Sequence, residues 1–390
     1  MTDIVIAGGA RTPVGRFNGA LSSLPPTKLA EVAVTEALKR AQTDPTEVDE
    51  LIHGIVLQGN VGAGPARQVA IHCGLRHEST AYAINQLCAS GLRAIAEGYK
   101  SIKLGESKIV VGGGMESMSW SPHVINLRGG VRMGEGKLLD SMLRDGLIDP
   151  FGNYHMGNTA ENVAQRWKLT REEIDTLACA SQNKAEAAQK TGRFKDEIIP
   201  VTIKGSRSDT VVDTDEYPTH GTTMENLAKL RPAFSKDGVV TAGNSSGIND
   251  GAAAVVLMTA AEAARRGVTP LAQIASWATH GVDPALMGIG PVSASRLALQ
   301  RAGWKVDDLD LIEANEAFGA QAVAVNKEMG WDLSKVNVNG GAIALGHPIG
   351  ASGGRILLTL IYEMIKRGAK KGIATACVGG GMGIAMCVER

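Results

Sequence analysis

The chain has 390 residues, more than a single hydrophobic core sustains, so two or more packed units are expected. Its 40 basic and 40 acidic residues cancel, which leaves no global field for gripping nucleic acid or a membrane surface, and neither is an expected partner. Aromatic residues make up only 4% while glycine reaches 48 positions, a profile of tight turns and close backbone approaches that fits an enzyme better than a fibre.

The N-terminus, MTDIVIAGGARTP, lacks a basic region followed by a long apolar stretch. No uncharged apolar run approaches the roughly 18 residues of a membrane span, so the chain is expected to be soluble, unexported and cytoplasmic. The glycine pairs of IAGGARTPVG do not complete GxGxxG, which argues against a dinucleotide fold. Five cysteines, at 73, 88, 179, 377 and 387, are odd in number and show no CxxC spacing. Neither a disulfide framework nor a metal site is predicted, and free thiols in a reducing compartment are the default.

Taken in chain order, the elements repeat. ALKRA at 37–41 is followed by VDEL from 48, and ALQRA at 298–302 by VDDL from 306. ASG opens a helical pattern at 89, where Leu92, Ile95, Ala96, Tyr99 and Ile102 recur at three-to-four spacing, and again at 351. VGGGM stands at 111 and at 378, each time completing an apolar strand, KIVVGGG or GIATACVGGG. Four markers in the same order identify two copies of one α/β unit.

In the second copy VGGGM runs directly into a strand, GIAMCV, whereas in the first the comparable strand GAAAVVLM begins only at Gly251. The expected organisation is an N-terminal half over 1–119 completed by 250–268, an inserted loop domain over 120–249, and a C-terminal half over 269–390. The insertion carries polar clusters such as KGSRSDTVVDTDEYPTHG and is expected to form loops and short helices that carry ligand contacts. The late helix GGRILLTLIYEMI is nearly free of charge around its circumference and belongs between two sheets. Two units sharing their central helices give a layered αβαβα sandwich, with the two glycine-flanked turns meeting near a pseudo-twofold axis.

NQLCASG places Cys88 at or just outside the first turn of a helix, where unpaired N–H groups favour thiolate over thiol. Tight packing of a small buried residue is the alternative. In the second copy Gly350 holds the register of Cys88, and His347 lies three residues earlier, so the duplication sets an imidazole on the counterpart of the cysteine turn. Cys377 ends the strand before the second VGGGM, and Asn315 and Glu316, in EANEAF, follow the apolar stretch LDLI at another strand end. A thiol beside a histidine makes an activated nucleophile, a second thiol can move a proton to and from carbon, and glycine-rich turns free N–H donors for an oxyanion. Acyl transfer with carbon-acid chemistry is indicated. GASGG also satisfies GxSxG, but no histidine follows His347, so Ser352 is read as packing at a helix start rather than as a nucleophile.

Together NQLCASG, VGGGMESMS, YHMGNTAENVA, SQNKAEAAQ, LRPAF, TAGNSSGINDGAAAV, EANEAF, NVNGGAIALGHPIGASG and CVGGGMG cover essentially the whole chain, which resembles the thiolases, and among them the bacterial enzymes that condense two acetyl-CoA molecules. The resemblance implies a duplicated αβαβα fold with an inserted CoA-binding loop domain. It implies that Cys88 is acylated, that His347 activates it, and that Cys377 removes or returns the α-proton. Asn315 would hold a water that forms one oxyanion hole with His347, and the N–H groups of Cys88 and Gly379 would form the other. CoA contacts implied are His155, Met156, Phe234, Ser246, Ala317 and Phe318.

The implied activity is condensation of two acetyl-CoA to acetoacetyl-CoA and CoA, or the reverse cleavage, with CoA thioesters as substrates and no separate cofactor. A broader 3-ketoacyl-CoA thiolase, a decarboxylating ketosynthase-type enzyme and a silent CoA-binding relative are the alternatives. PHVINLRGGVRMG resembles the segment that joins tetramers, so a dimer of dimers is expected. Three positions depart from the family pattern: Ala89 and Thr219 stand where glycine and arginine are usual, and Gly319 stands where alanine is usual.

Overall fold

The computed structural model describes residues 3–390. In the first half the apolar segments form strands β1 (Ile4–Arg11), β2 (Glu50–Gly54), β3 (Thr80–Ile84), β4 (Val110–Ser117) and β5 (Asn249–Thr259). They lie in the order β3-β2-β4-β5-β1, parallel among β3, β2 and β4 and antiparallel from β4 through β5 to β1. The second half contributes β6 (Ala272–Gly281), β7 (Leu311–Ala314), β8 (Lys371–Val378) and β9 (Met382–Glu389), in the order β7-β8-β9-β6. A parallel bridge from Ile312 to Val336 stands where β3 stands in the first half, so the two halves repeat one strand order. The two sheets are not fully separate. Val5 pairs with Gln273 and Ile6 with Ala272, which joins β1 to β6 by a short antiparallel stretch.

Helix α1 (Pro26–Arg40) packs on β5 and β1, and α2 (Pro65–His72) on β3, on the outer face of the first sheet. Helix α3 (Ser90–Leu104) buries Leu92, Ile95, Ala96 and Ile102 and ends at Gly105, whose φ of +78° suits glycine. In the inserted segment α4 (Met156–Arg166) and α5 (Arg171–Lys190) are the long elements, and α6 (Gly290–Ala302) covers β9 and β6 from outside. Helices α7 (Gly319–Met329) and α8 (Ser352–Arg367) complete the set. Helix α8 is buried continuously from Ser352 to Met364, and α3 and α8 pack on each other between the sheets, as the predominantly apolar sequence of α8 requires.

What lets the two central helices meet is the absence of side chains at their N-termini. A Cβ on Gly91 would stand 2.9 Å from the Gly350 carbonyl oxygen and from the Gly354 nitrogen, and one on Gly353 would stand 2.3 Å from the Leu92 nitrogen. These neighbours are backbone and have no rotamer with which to yield.

The chain leaves the first sheet at Ser117 and returns on the adjacent strand at Asn249, with Asp250 opposite Ser117 and Leu257 opposite Val110. The intervening stretch is more helical than expected, since α5 runs for 20 residues. Thr170 and Glu173 form a reciprocal cap at its start, and Ile174, Ala178, Ser181, Ala185 and Ala188 make a buried face at helical spacing. Among the described residues no helix is long and apolar enough to cross a membrane, and all five cysteines are free thiols.

Candidate active site

Cys88 occupies a tight turn, Leu87–Ala89, that leads into α3. Neighbouring side chains build the turn. Ser90 Oγ donates to the Leu87 carbonyl at 2.7 Å and accepts from the Gln86 N–H at 2.9 Å, while Asn85 Oδ1 accepts from the Leu87 N–H at 3.0 Å. Leu87 is held at φ +47°, a left-handed conformation that costs a non-glycine residue about 1 kcal/mol or more. No sequence signal marks that strain.

The second half delivers Cys377 at the end of β8. Gly379, two residues on, has no room for a side chain, because a Cβ there would lie 2.4 Å from Met156 Cε and 2.8 Å from Leu87 Cδ1. The backbone N–H groups of Gly379 and of Cys88 itself both favour the ionised form of the Cys88 sulfur. Two donors thus converge where an acyl oxygen on that sulfur would sit. Burial nevertheless outweighs them and pushes the Cys88 thiol up to about 11, with the Glu116 carboxylate adding to the rise. The preference for thiolate expected at a helix N-terminus is therefore reversed, and the free protein holds a thiol at neutral pH. Cys377 is pushed well above the ordinary thiol range by its burial and, next, by the charge of Cys88.

His347 is fixed from three sides. Its N–H donates to Asn249 Oδ1 at 2.8 Å, and its Nδ1 lies 2.6 Å from Ser352 Oγ. That hydroxyl donates to the Pro348 carbonyl at 2.8 Å, so it accepts from Nδ1–H, and the hydrogen-bond network assigns Nε2 as the unprotonated nitrogen. Nε2 is buried with no protein partner. Burial, aided by the Arg355 charge, pushes the imidazole down to about 3, so it is a neutral base. Asn315 stands beside it, with Nδ2 3.5 Å from Nδ1, and Asn315 Oδ1 is likewise buried without a partner.

Several sequence readings need adjustment. Glu316 faces away from this chemistry: its carboxylate accepts from Ser181 and Asn337, each at 2.7 Å, and braces the scaffold. Ser352 does start a helix, but its hydroxyl also orients His347. The repeated ASG could have disclosed this, since Ser90 shapes the cysteine turn from the matching position. Glu116, unnoticed inside VGGGMES, accepts from the Val56, Leu57 and Gly350 N–H groups at 3.1, 3.1 and 2.8 Å, tying the loop after β2 to the turn before α8. Gly319, where alanine is usual, sits tightly, because a Cβ there would lie 2.8 Å from Ile174 Cγ2.

Cys88 and His347 line a cavity of about 500 Å³ together with His155, Met156, Phe234, Ser246, Ala317 and Phe318, all six of the residues expected to touch CoA. His155 stacks on Phe234 with ring centroids 4.6 Å apart, and Phe234 meets Phe318 edge-on at 6.0 Å. Cys377, Asn315 and Gly379 do not line this space, and Cys377 packs behind Met156, Ala317 and Phe318. Ala89 is fully buried in the cysteine turn. Thr219 lies off the cavity, exposed, with its N–H donating to Gln182 at 2.9 Å. A larger cavity, about 700 Å³, between α5 and α7 contains no thiol and no histidine.

Residues 4–261 match the family model for the thiolase N-terminal domain, and residues 268–390 match that for the thiolase C-terminal domain. The chain belongs to the thiolase family. It is 62% identical over 387 residues to the acetyl-CoA acetyltransferase of Rhizobium meliloti, covering 99% of this chain and 98% of that one. It is 60% identical over 388 residues to the enzyme of the same name from Shinella zoogloeoides, covering 100% and 99%. Among solved structures, the Bacillus anthracis acetyl-CoA acetyltransferase superposes with a TM-score of 0.98 at 46% identity, over 100% of this chain and 99% of that one. Human mitochondrial 3-ketoacyl-CoA thiolase gives 0.97 at 41%, with the same coverage. The fold of this chain is the thiolase fold.

The raised Cys88 thiol sets the pH dependence of its modification. Alkylation by iodoacetamide is expected to quicken about tenfold per pH unit from pH 7 to 9, with no plateau, as the thiolate fraction grows. A plateau below pH 8, followed by peptide mapping at Cys88, would show that the thiolate forms more readily than burial allows.

Proposed function

We propose that this thiolase-family acyltransferase is an acetyl-CoA C-acetyltransferase, condensing two acetyl-CoA to acetoacetyl-CoA and CoA and catalysing the reverse cleavage. One observation carries the reading: the Cys88 sulfur lies under the N–H groups of Cys88 and Gly379, in a cavity shared with an unpartnered, neutral His347 Nε2. In the first half-reaction the sulfur attacks the thioester carbon while its proton passes to Nε2. The paired N–H groups hold the oxyanion, and the CoA sulfur leaves with the proton of Cys377, which is left ionised while His347 stays protonated at Nε2. Removal of one such donor costs about a hundredfold or more in rate.

In the second half-reaction Cys377, ionised, takes a proton from the methyl carbon of the second acetyl-CoA. The carbanion forms the carbon–carbon bond to the acyl carbon, the Cys88 sulfur leaves, and it recovers its proton from His347, while Cys377 keeps the proton taken from the methyl carbon. Burial gives the Cys377 thiol a high pKa. A high thiol pKa makes the ionised sulfur a stronger base toward carbon. The oxyanion of the second substrate falls to the Nε2–H of protonated His347 and to a water on Asn315; His347 Nε2 and Asn315 Oδ1 are both buried without protein partners.

A thiol at position 377 disfavours the ketosynthase type, and the four assembled groups disfavour a silent binding protein. In a Cys377→Ala variant, acetyl transfer from acetyl-CoA to Cys88 is expected to persist while condensation falls by about 100-fold or more. Condensation at the normal rate would remove Cys377 from the mechanism. Comparing turnover of acetoacetyl-CoA with longer 3-ketoacyl thioesters separates this reading from a broad-range thiolase.

We also propose that the protein is a cytoplasmic homotetramer serving lipid metabolism. Support comes from the excursion between the His123–Val124 and Leu139–Asp140 strands, which leaves Val124, Leu127, Val131, Met133 and Leu138 between 40% and 95% exposed. Light scattering is expected to give four chains, and a stable dimer would reject the assignment.

A further inference from the structure

The cavity that holds Cys88 and His347 has one lysine or arginine in its lining, Arg16, and no acidic residue. The remaining charge candidate, His155, is held neutral by burial against Phe234. The buried end therefore carries the reacting groups and the exposed end carries a single permanent cation.

Several contacts aim that cation. Gly15 and Arg16 form a short antiparallel ladder with Asp250 and Asn249, and the Asn249 side chain donates to the Gly15 carbonyl at 3.0 Å while accepting from the His347 N–H. The Asn249 side chain thus ties the backbone beside Arg16 to the backbone of His347. Further out, Arg16 Nε donates to the Glu216 carbonyl at 2.7 Å and Nη2 to the Tyr217 carbonyl at 3.3 Å, with the guanidinium carbon 5.9 Å from the Tyr217 ring centroid. The Glu216 carboxylate is occupied by the backbone N–H groups of Arg16 and Ala20, at 2.9 and 3.1 Å. Among the described residues no carboxylate forms an ion pair with this guanidinium, and its Nη1 edge makes no hydrogen bond. A fork held by carbonyls, uncompensated and exposed beside a cavity, suits the oxygens of a phosphate.

We propose that Arg16 is the residue that grips the phosphate-bearing end of a CoA thioester at the cavity rim. The inference rests on the CoA reading given above and assigns the charge contact to a segment of the first half rather than to the loop that carries Thr219. That loop contributes its backbone instead, through the carbonyls of Glu216 and Tyr217 that hold the guanidinium in place. Thr219, two residues beyond Tyr217, is exposed and contributes nothing to the lining.

Titration calorimetry with CoA tests the assignment without relying on turnover. Arg16→Gln is expected to weaken CoA about five- to tenfold, Arg16→Lys to give an intermediate loss, and added salt to shrink the difference from the parent protein. Competition by pantetheine, which has the thiol arm and no phosphate, is expected to be weakened far less, so the preference for CoA over pantetheine falls by nearly the same factor. Unchanged CoA affinity in Arg16→Gln would overturn the proposal. So would an equal loss for CoA and pantetheine, which would mark Arg16 as a support for the cavity wall. Acetoacetyl-CoA cleavage is the separate readout of the activity, so a protein that holds CoA through Arg16 but cleaves nothing would sink the enzymatic reading and keep this one.

Discussion

The arrangement depends on one steric constraint: the N-termini of α3 and α8 approach backbone to backbone, at a distance only glycine permits. Gly91 faces the Gly350 carbonyl and the Gly354 nitrogen, while Gly353 faces the Leu92 nitrogen. The turn ahead of α3 carries Cys88 and the turn ahead of α8 carries His347, so contact between the helices brings both residues to one cavity. Gene duplication explains why both turns have the same build. Divergence at matched positions then placed a sulfur on one copy and an imidazole three residues upstream on the other.

Electrostatics follow from that closeness. Two long helices and two sheet ends around the site leave little water, and burial raises both thiols while lowering the imidazole. The resting site is therefore an uncharged thiol beside an uncharged base. In the proposed mechanism charge arises only as the reaction proceeds, and the N–H groups of Cys88 and Gly379 are the donors that would meet it. Glu116 is the exception that supports the rest: a buried carboxylate pushed up to about 7, whose three N–H donors include that of Gly350, at the register of Cys88.

Much of this was legible in the letters because repetition at fixed order survives in sequence. The markers ALKRA, ASG and VGGGM located equivalent strands and helices, and from them the shared cavity of Cys88 and His347. Less legible were features that depend on distance between remote segments. Helix α5 was read as loop and short helix because its buried face is alanine and serine, too weakly apolar to announce itself. The ionisation of Cys88 is not legible in sequence, because a helix terminus is visible there and burial is not. Glu116, Asn249 and Ser352 each act through a hydrogen bond to another part of the chain, so only the second copy of ASG could have hinted at the last of them. The short ladder joining β1 to β6 likewise requires two edges that nothing local brings together.

The most direct test is a crystal structure of the protein trapped with acetyl-CoA. The account expects the acetyl group on Cys88, its carbonyl oxygen between the N–H groups of Cys88 and Gly379, and His347 Nε2 facing the reacting carbon. An acetyl group on Cys377, or an oxygen turned away from both N–H groups, would contradict it.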